Sequence, residues 1–317
     1  MKENVLITGA NGQIGTVLVQ ALIERYSYDN VLATDIATEP NQQVRFERLD
    51  VLDAARFEDL VTKYHITQIY HLAAILSASG EKNPLRTWEI NMNGFFNVME
   101  TAKNHDIKVF FPSSIAVFGE HLPPESAPQY SPLIPATVYG ISKAAGENWS
   151  YYYRIRYGLD IRSLRYPGII GHQSKPGGGT TDYAVDIFHE AILNKIYTCF
   201  LAEDATLPMI YMEDAIRATL ELMEAPKENL TVSNSYNLAG LSFSPSELVE
   251  AIKKEIPDFT IIYQPDFRQK IAESWPKIIN DSEARRDWNW QPKYDLAKMT
   301  KDMILNLKKQ LITTVDG

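Results

Sequence analysis

The sequence predicts an α/β fold of the Rossmann type: a doubly wound, mostly parallel sheet with a smaller C-terminal lobe. Three observations lead there. Short runs rich in Val, Ile and Leu alternate with segments of helical period; those runs are apolar on both faces; and the first one leads straight into glycines at 9, 12 and 15. Strands buried on both faces belong to parallel sheets, and strand–helix alternation implies right-handed crossovers.

The predicted strands are "NVLIT" (4–8), "NVLATD" (30–35), a third ending at "RFERLDV" (45–51), "ITQIYHLA" (66–73), "IKVFFPSS" (107–114) and "LDIRSLRYP" (159–167). Helices are expected near 13–26, 53–64, 84–104 and 140–157. After about residue 168 the pattern loosens. "GHQSKPGGGTTDYA" (171–184) is a loop folded close to something, and helices are expected at 182–195 and 213–224. A strand at "SYNLAG", a helix capped by Ser244 or Ser246 with Glu247 in its first turn, and a strand at "DFTIIYQPDF" complete the reading. The division is residues 1–170 and 171–317, with some later segments returning to the first unit. The tail "ITTVDG" is expected to fray.

Composition narrows the classes. With 45% hydrophobic and 22% charged residues, the 317-residue chain can bury a sizeable core. Its net charge of −9 disfavours nucleic acid and anionic membranes, which need basic patches. No run of about 18 apolar residues offers a membrane span, and the N-terminus lacks the form of a signal peptide. The single cysteine, Cys199, can form no internal disulfide or metal cage, so a cytoplasmic protein without a metal is expected.

Gly9, Gly12 and Gly15 occupy a strand-to-helix turn, where backbone can approach a pyrophosphate lying at the helix N-terminus. Asp35 closes the second strand, placed to accept hydrogen bonds from adenosine ribose hydroxyls and to repel a 2′-phosphate, which favours NAD over NADP. Asp50 and Val51 fall where the third strand would meet adenine, although Asp50 could instead cap the next helix. Ala73 and Ala74 suit close backbone approach to a ribose, or plain core packing.

Tyr139 and Lys143 stand four apart, on one face of a helix, where an ammonium can stabilise a tyrosinate. The same spacing recurs at Tyr294 and Lys298, so spacing alone does not choose. Position does: the strand "KVFFPSS" delivers Ser113 and Ser114 to a carboxyl end, the edge where open α/β sheets bind ligands. Tyr294 lies far downstream in a charged stretch and is read as coincidence.

Taken together, "TGANGQIG", Asp35, "DVLD", "HLAA", Asn91 in "NMNGFFNV", "SSIAVFG", "YGISK" and "LRYPGIIG" resemble the extended short-chain dehydrogenase/reductases in order and spacing, over residues 4–171. The resemblance implies NAD as cofactor and residues 1–170 as the domain that binds it. It implies Tyr139 as acid/base, Lys143 as its electrostatic partner and ribose ligand, and Ser114 as the hydroxyl that orients substrate. Cofactor contacts are expected from Gly9, Gly12, Gln13, Ile14, Gly15, Asp35, Asp50, Val51, Leu72, Ala73, Ala74, Asn91, Tyr139, Lys143, Tyr166, Pro167 and Ile169. Phe118 departs from relatives that carry tyrosine there.

Further segments, "PGGGTTDYA" (176–184) and 263–296, resemble the branch of that family that oxidises L-threonine at its 3-hydroxyl to 2-amino-3-oxobutyrate. That likeness implies a lobe at 171–317 with substrate contacts at Ser77, Ser114, Tyr139, Gly178, Thr180 and Trp275. Thr180 and Thr181 could instead cap a helix, and Trp275 could be core. The alternative is a nucleotide-sugar epimerase or dehydratase, which would need cations for the diphosphate, Arg268 being the first to check. Aromatic and apolar residues on several faces of 84–104 and 140–157 (Trp88, Phe95, Phe96, Met99, Trp149, Tyr153) suggest that some are buried against a second subunit. In the family these helices make a dimeric four-helix bundle.

Overall fold

The computed structural model describes residues 3–315 except 120, 121, 123–125, 174 and 176–178. Its strands are β1 (Val5–Thr8), β2 (Val31–Asp35), β3 (Arg45–Arg48), β4 (Gln68–His71), β5 (Lys108–Ser114), β6 (Ile161–Tyr166), β7 (Gly168–Ile170), β8 (Ile196–Cys199), β9 (Leu207–Tyr211), β10 (Tyr236–Asn237), β11 (Leu241–Phe243) and β12 (Thr260–Tyr263). The helices are α1 (Gln13–Tyr26), α2 (Ala54–Tyr64), α3 (Ser77–Gly80), α4 (Pro84–Trp88), α5 (Gly94–His105), α6 (Val138–Tyr157), α7 (Tyr183–Leu193), α8 (Met212–Glu224), α9 (Pro245–Glu255), α10 (Phe267–Glu273), α11 (Ser282–Trp288) and α12 (Leu296–Val315).

Seven strands form the central sheet in the order β10-β6-β5-β4-β1-β2-β3, every neighbouring pair parallel. The order reverses between β1 and β4, and at such a switch point crossovers on opposite faces leave a crevice beyond the strand ends. Each face carries its own core. Leu18, Leu22, Ala215 and Leu222 of α1 and α8 join Trp288 and Trp290 on one side; Phe57, Leu60, Phe95 and Met99 of α2 and α5 pack on the other. A third cluster holds the lobe, built on β11-β9-β7 and β12-β8 and including Phe188, Phe243 and Met303. No helix among the described residues is long and apolar enough to cross a membrane.

Local chemistry sets the boundaries. Asp53 caps α2 by accepting from the Arg56 amide, so the cap belongs to it and not to Asp50. Thr137 caps α6 through the Gly140 amide, 3.1 Å away. Ser244, not Ser246, caps α9, in a capping box with Glu247.

Several expectations are corrected. The helix expected at 84–104 is broken by a π-helical turn at Glu89–Asn93, which turns Asn91 back to hold the chain after β4. Its side chain accepts from Ile75 N (2.8 Å) and donates to Ile75 O (3.1 Å) and to Ser142 (3.1 Å). The strand at 159–167 stops at Pro167, which has no N–H to continue the ladder, and the chain departs as β7 into a second sheet. "SYNLAG" pairs only over Tyr236–Asn237, and "DFTIIYQPDF" only over Thr260–Tyr263. Of the tail, residues 312–315 belong to the end of α12, and residues 316 and 317 lie outside the described residues.

At Gly15 an added Cβ would lie 2.3 Å from the Gly9 carbonyl oxygen and 2.7 Å from that of Ala10. Backbone cannot yield as a side chain can. Gly15→Ala should therefore destabilise the protein by about 1–3 kcal/mol, read as a lower urea midpoint; an unchanged midpoint would refute the packing role.

Candidate active site

Two cavities run along the carboxyl ends of the central strands and share Leu72 and Ala74, so they form one continuous cleft. The outer half is lined by Gly9, Gly12, Asp35, Asp50, Val51 and Ala73, with Ile36, Arg86 and Ile90 opposite. The inner half holds Gln13, Ile14, Ser77, Ser114, Tyr139, Lys143, Tyr166, Pro167, Ile169, Thr180 and Trp275.

Nearly every residue singled out from the sequence thus faces one cleft. Gly15 and Asn91 do not line it; they act from behind its wall, by packing and by holding the Ile75 backbone. Gly178 lies outside the described residues. Ile36, Arg86, Leu76, Pro112, Gly168 and Thr181 were missed. Only Ile36 left a signal, as an isolated apolar residue after Asp35 that stays 62% exposed.

The cleft fits a dinucleotide. Gly9 adopts φ +67° and has its Cα so close to the Ala73 backbone that a Cβ would come within 2.7 Å. The glycine turn and the chain after β4 therefore lie close together, as a cradle for phosphate requires. The Asp35 carboxylate is oriented by Asn11 N (3.0 Å) and Ala37 N (3.1 Å), and two oxygens keep further acceptor capacity for hydroxyls. Gln13 presents a buried amide nitrogen with no protein partner, a donor for a polar ligand group.

At the inner end Tyr139 begins α6 and Ser114 ends β5, both line the cleft, and the Ser114 hydroxyl is near enough to the phenol to lower its pKa. Lys143 Nζ donates to the Pro112 carbonyl at 2.7 Å and lies 4.6 Å from the centre of the Phe111 ring and 5.6 Å from that of Tyr139. Burial pushes the Tyr139 phenol up to about 12, opposed only by the Ser114 hydroxyl, and pushes the Lys143 ammonium down to about 7. Burial is the largest of the influences on Tyr139, and Lys143 is not among them. A positive charge must enter the cleft to favour the phenolate. His71, whose Nδ1 lies 2.9 Å from the Thr8 hydroxyl, is held neutral by burial and then by Lys143, at about 3.

The other readings also resolve. Asp182, not Thr180 or Thr181, is the residue before α7, and the buried Thr180 hydroxyl has no protein partner. Trp275 serves both as core and as cleft wall. Arg268 is engaged away from the cleft, paired with Asp266 at 2.6 Å and lying 3.2 Å over the Phe200 ring. The second pair is also elsewhere: Tyr294 packs on Tyr211, and Lys298 sits over the Tyr294 ring with Nζ on the Lys293 carbonyl. Phe118 is fully enclosed with the Arg165 guanidinium 5.3 Å from its ring centre, so the missing phenol is not replaced in the cleft. His172, Glu213 and Asp302 bring possible ligand atoms within 4.8 Å of one another, but none lines the cleft.

An amine at about 7 when folded against 10.5 when free means that the unfolded chain binds more protons between those values. Lys143 therefore destabilises the fold most below pH 7, and the penalty fades as pH approaches 10.5. Lys143→Met should raise the urea midpoint of the ligand-free protein at pH 6 and change it little at pH 10; equal shifts at both would refute the burial argument.

The comparisons with known proteins agree with this site. The model of the NAD dependent epimerase/dehydratase family matches residues 5–239. An uncharacterized epimerase/dehydratase of Staphylococcus aureus (strain USA300) is 47% identical over 307 residues, 95% of this chain and 96% of its own. The holo form of a GalE-like L-threonine dehydrogenase from Cupriavidus necator superposes with a TM-score of 0.95 at 51% identity, covering 96% of this chain and 99% of that one. A monomeric L-threonine 3-dehydrogenase from a metagenome, in its apo form, does so at 0.94 and 49%, with coverage of 96% and 99%. The chain accordingly belongs to the NAD dependent epimerase/dehydratase family, the extended short-chain dehydrogenase/reductases, and its cofactor is NAD.

Proposed function

We propose that this protein is an L-threonine 3-dehydrogenase that oxidises the 3-hydroxyl of L-threonine to give 2-amino-3-oxobutyrate. The observation that carries the reading is the Thr180 hydroxyl, 1% exposed and without a partner, in the same half-cleft as Ser114 and Tyr139. A buried hydroxyl seeks a polar partner, and the carboxylate or ammonium of a small amino acid supplies one. Lys143 is the one lysine or arginine among the described residues of this half, and Pro112 engages it, so a diphosphate finds no clamp. Arg268, the cation an epimerase reading would recruit, is occupied by Asp266 and Phe200. The likeness to threonine dehydrogenases at about half identity supports the same choice.

In this reading the 3-hydroxyl sits between Ser114 and Tyr139. Tyr139, as phenolate, takes the hydroxyl proton, and Ser114 donates to the substrate oxygen as the carbonyl forms. Bound NAD⁺ supplies the acceptor for the hydride leaving C3 and the positive charge that favours the phenolate. Gln13, Asp35, Asp50 and Val51 would hold the dinucleotide, and Lys143 would reach its ribose. Ser77, Thr180, the Gly178 backbone and Trp275 would enclose the amino acid, excluding water and strengthening the electrostatics. Residues 171–317 serve mainly as the substrate lobe in this account, and the cytoplasm is the compartment that the lone cysteine suits.

The test is NADH absorbance on mixing protein, NAD⁺ and L-threonine, beside chromatographic analysis of a UDP-sugar incubated with the same protein, because an epimerase or dehydratase returns the hydride and releases no net NADH. Turnover is expected with threonine alone; turnover of the UDP-sugar alone would overturn the reading. Tyr139→Phe should lower kcat by at least 100-fold while NAD⁺ still binds, whereas Tyr294→Phe should be nearly silent.

We also propose a homodimer. Trp149, Tyr152 and Ile155 of α6 and Trp88 of α4 are exposed, and Phe96 of α5 packs edge-on against Trp149 with ring centres 5.0 Å apart. An apolar patch of this kind marks an interface, although one similar enzyme is described as monomeric. Sizing chromatography at low salt should give a dimer; a monomer at micromolar concentration would overturn the proposal.

A further inference from the structure

Behind the catalytic tip lies a charge pair that takes no part in the chemistry above. Glu147 follows Lys143 by one helical turn and Tyr139 by two, on the same face of α6, and is 0% exposed; Arg165, on β6, is 2% exposed. The guanidinium grips the carboxylate with two donors, Nε to Oε1 at 2.9 Å and Nη2 to Oε2 at 2.7 Å. A third donor is the Ser113 hydroxyl, 2.5 Å from Oε1. Ser113 immediately precedes Ser114, and on a strand the two side chains point to opposite faces. One is anchored behind the sheet edge while the other faces the cleft.

The remaining Arg165 nitrogen, Nη1, leads into the lobe. It donates to the Gln129 carbonyl (2.8 Å) and to Asn237 Oδ1 (3.0 Å). Asn237 in turn donates to the carbonyls of Ala127 (3.1 Å) and Asn280 (2.9 Å). Ala127 bridges to Ile279, a few residues beyond Trp275 of the cleft wall. A chain of hydrogen bonds, buried as far as Asn237 and part-buried at Asn280, thus joins the residue beside Ser114 to the segment that carries Trp275.

A buried ion pair is seldom retained for stability, since apolar residues of the same volume serve as well or better. What it supplies is direction: bidentate geometry fixes both partners in angle as well as distance. We propose that Glu147, clamped by Arg165, is a positioning residue: it fixes Ser113, sets the approach of the Ser114 and Tyr139 hydroxyls, and couples that approach to the seating of the Trp275 segment. The proposal rests on the reading of Ser114 and Tyr139 as the catalytic pair. Such a pair works only within a narrow range of separations, because a displacement of about 1 Å can cost 100-fold in rate.

The test is Glu147→Met with Arg165→Met in one protein, which removes both charges and leaves neither unpaired, together with Ser113→Ala, which cuts only the first link. Both are measured as holoenzymes with NAD⁺. The double variant should bind NAD⁺ within about twofold of the parent, with an unchanged KM for NAD⁺ and kcat at least tenfold lower; Ser113→Ala should lower kcat at least threefold with its melting temperature kept. A crystal structure of the NAD-loaded double variant should show the Ser114 and Tyr139 hydroxyls displaced relative to each other by about 1 Å from their parent positions. A kcat within twofold of the parent, or an unchanged separation, overturns the proposal. Should the double variant not fold, Ser113→Ala decides by the same kinetic split. If the parent fails to oxidise L-threonine, the functional reading falls, and the crystal structures still decide the positioning role.

Discussion

The site depends on the exclusion of water from the first turns of α6. Enclosure makes every charge there costly, so the phenol and the amine are both driven toward their neutral forms, Tyr139 to about 12 and Lys143 to about 7. Neighbouring His71 is held neutral for the same reason. Tyr139 therefore stays uncharged until a positively charged ligand enters the inner cleft. The low dielectric that suppresses ionisation is also what lets a bound cation act strongly at short range. The Lys143 contact with the Pro112 carbonyl belongs to this arrangement, because it gives the ammonium a dipole to rest on where no carboxylate stands.

Much of the frame was legible because each signal was local. The strand cores, the glycine turn, Asp35 and the Thr137-capped helix bearing Tyr139 follow from runs, spacing and caps read over a few residues. The lobe was less legible because its strands are short and its partners distant: β8 pairs with β12, whose residues follow some sixty positions later, and neither carries a long apolar run. The π-helical turn at Glu89–Asn93 was hidden because its cause is tertiary, the bonding of Asn91 to Ile75 and Ser142. Within the site, residue types pointed to the proton chemistry but not to the influence of burial on their ionisation. Spacing reports that a lysine is near a tyrosine and says nothing about how deeply both are enclosed. Arg165 and Glu147 were invisible for a related reason, since a buried ion pair reads in sequence like any two surface charges.

The likeness to relatives and the physical reading bear on different questions. Similarity over nearly the whole chain identifies the family and the cofactor. The choice of substrate turns on a small set of side chains in the inner cleft, above all a hydroxyl without a partner and a cation already engaged. Fold-level resemblance alone cannot make that choice, because one scaffold carries several chemistries.

The break at Pro167 sets the scale of that choice. β6 belongs to the seven-stranded central sheet, and β7, with only Pro167 between, belongs to the sheet of the lobe. The size of molecule admitted is then set in part by how far side chains project across the gap between the two walls, and a new tolerance could arise by trimming those projections while both sheets stay as they are.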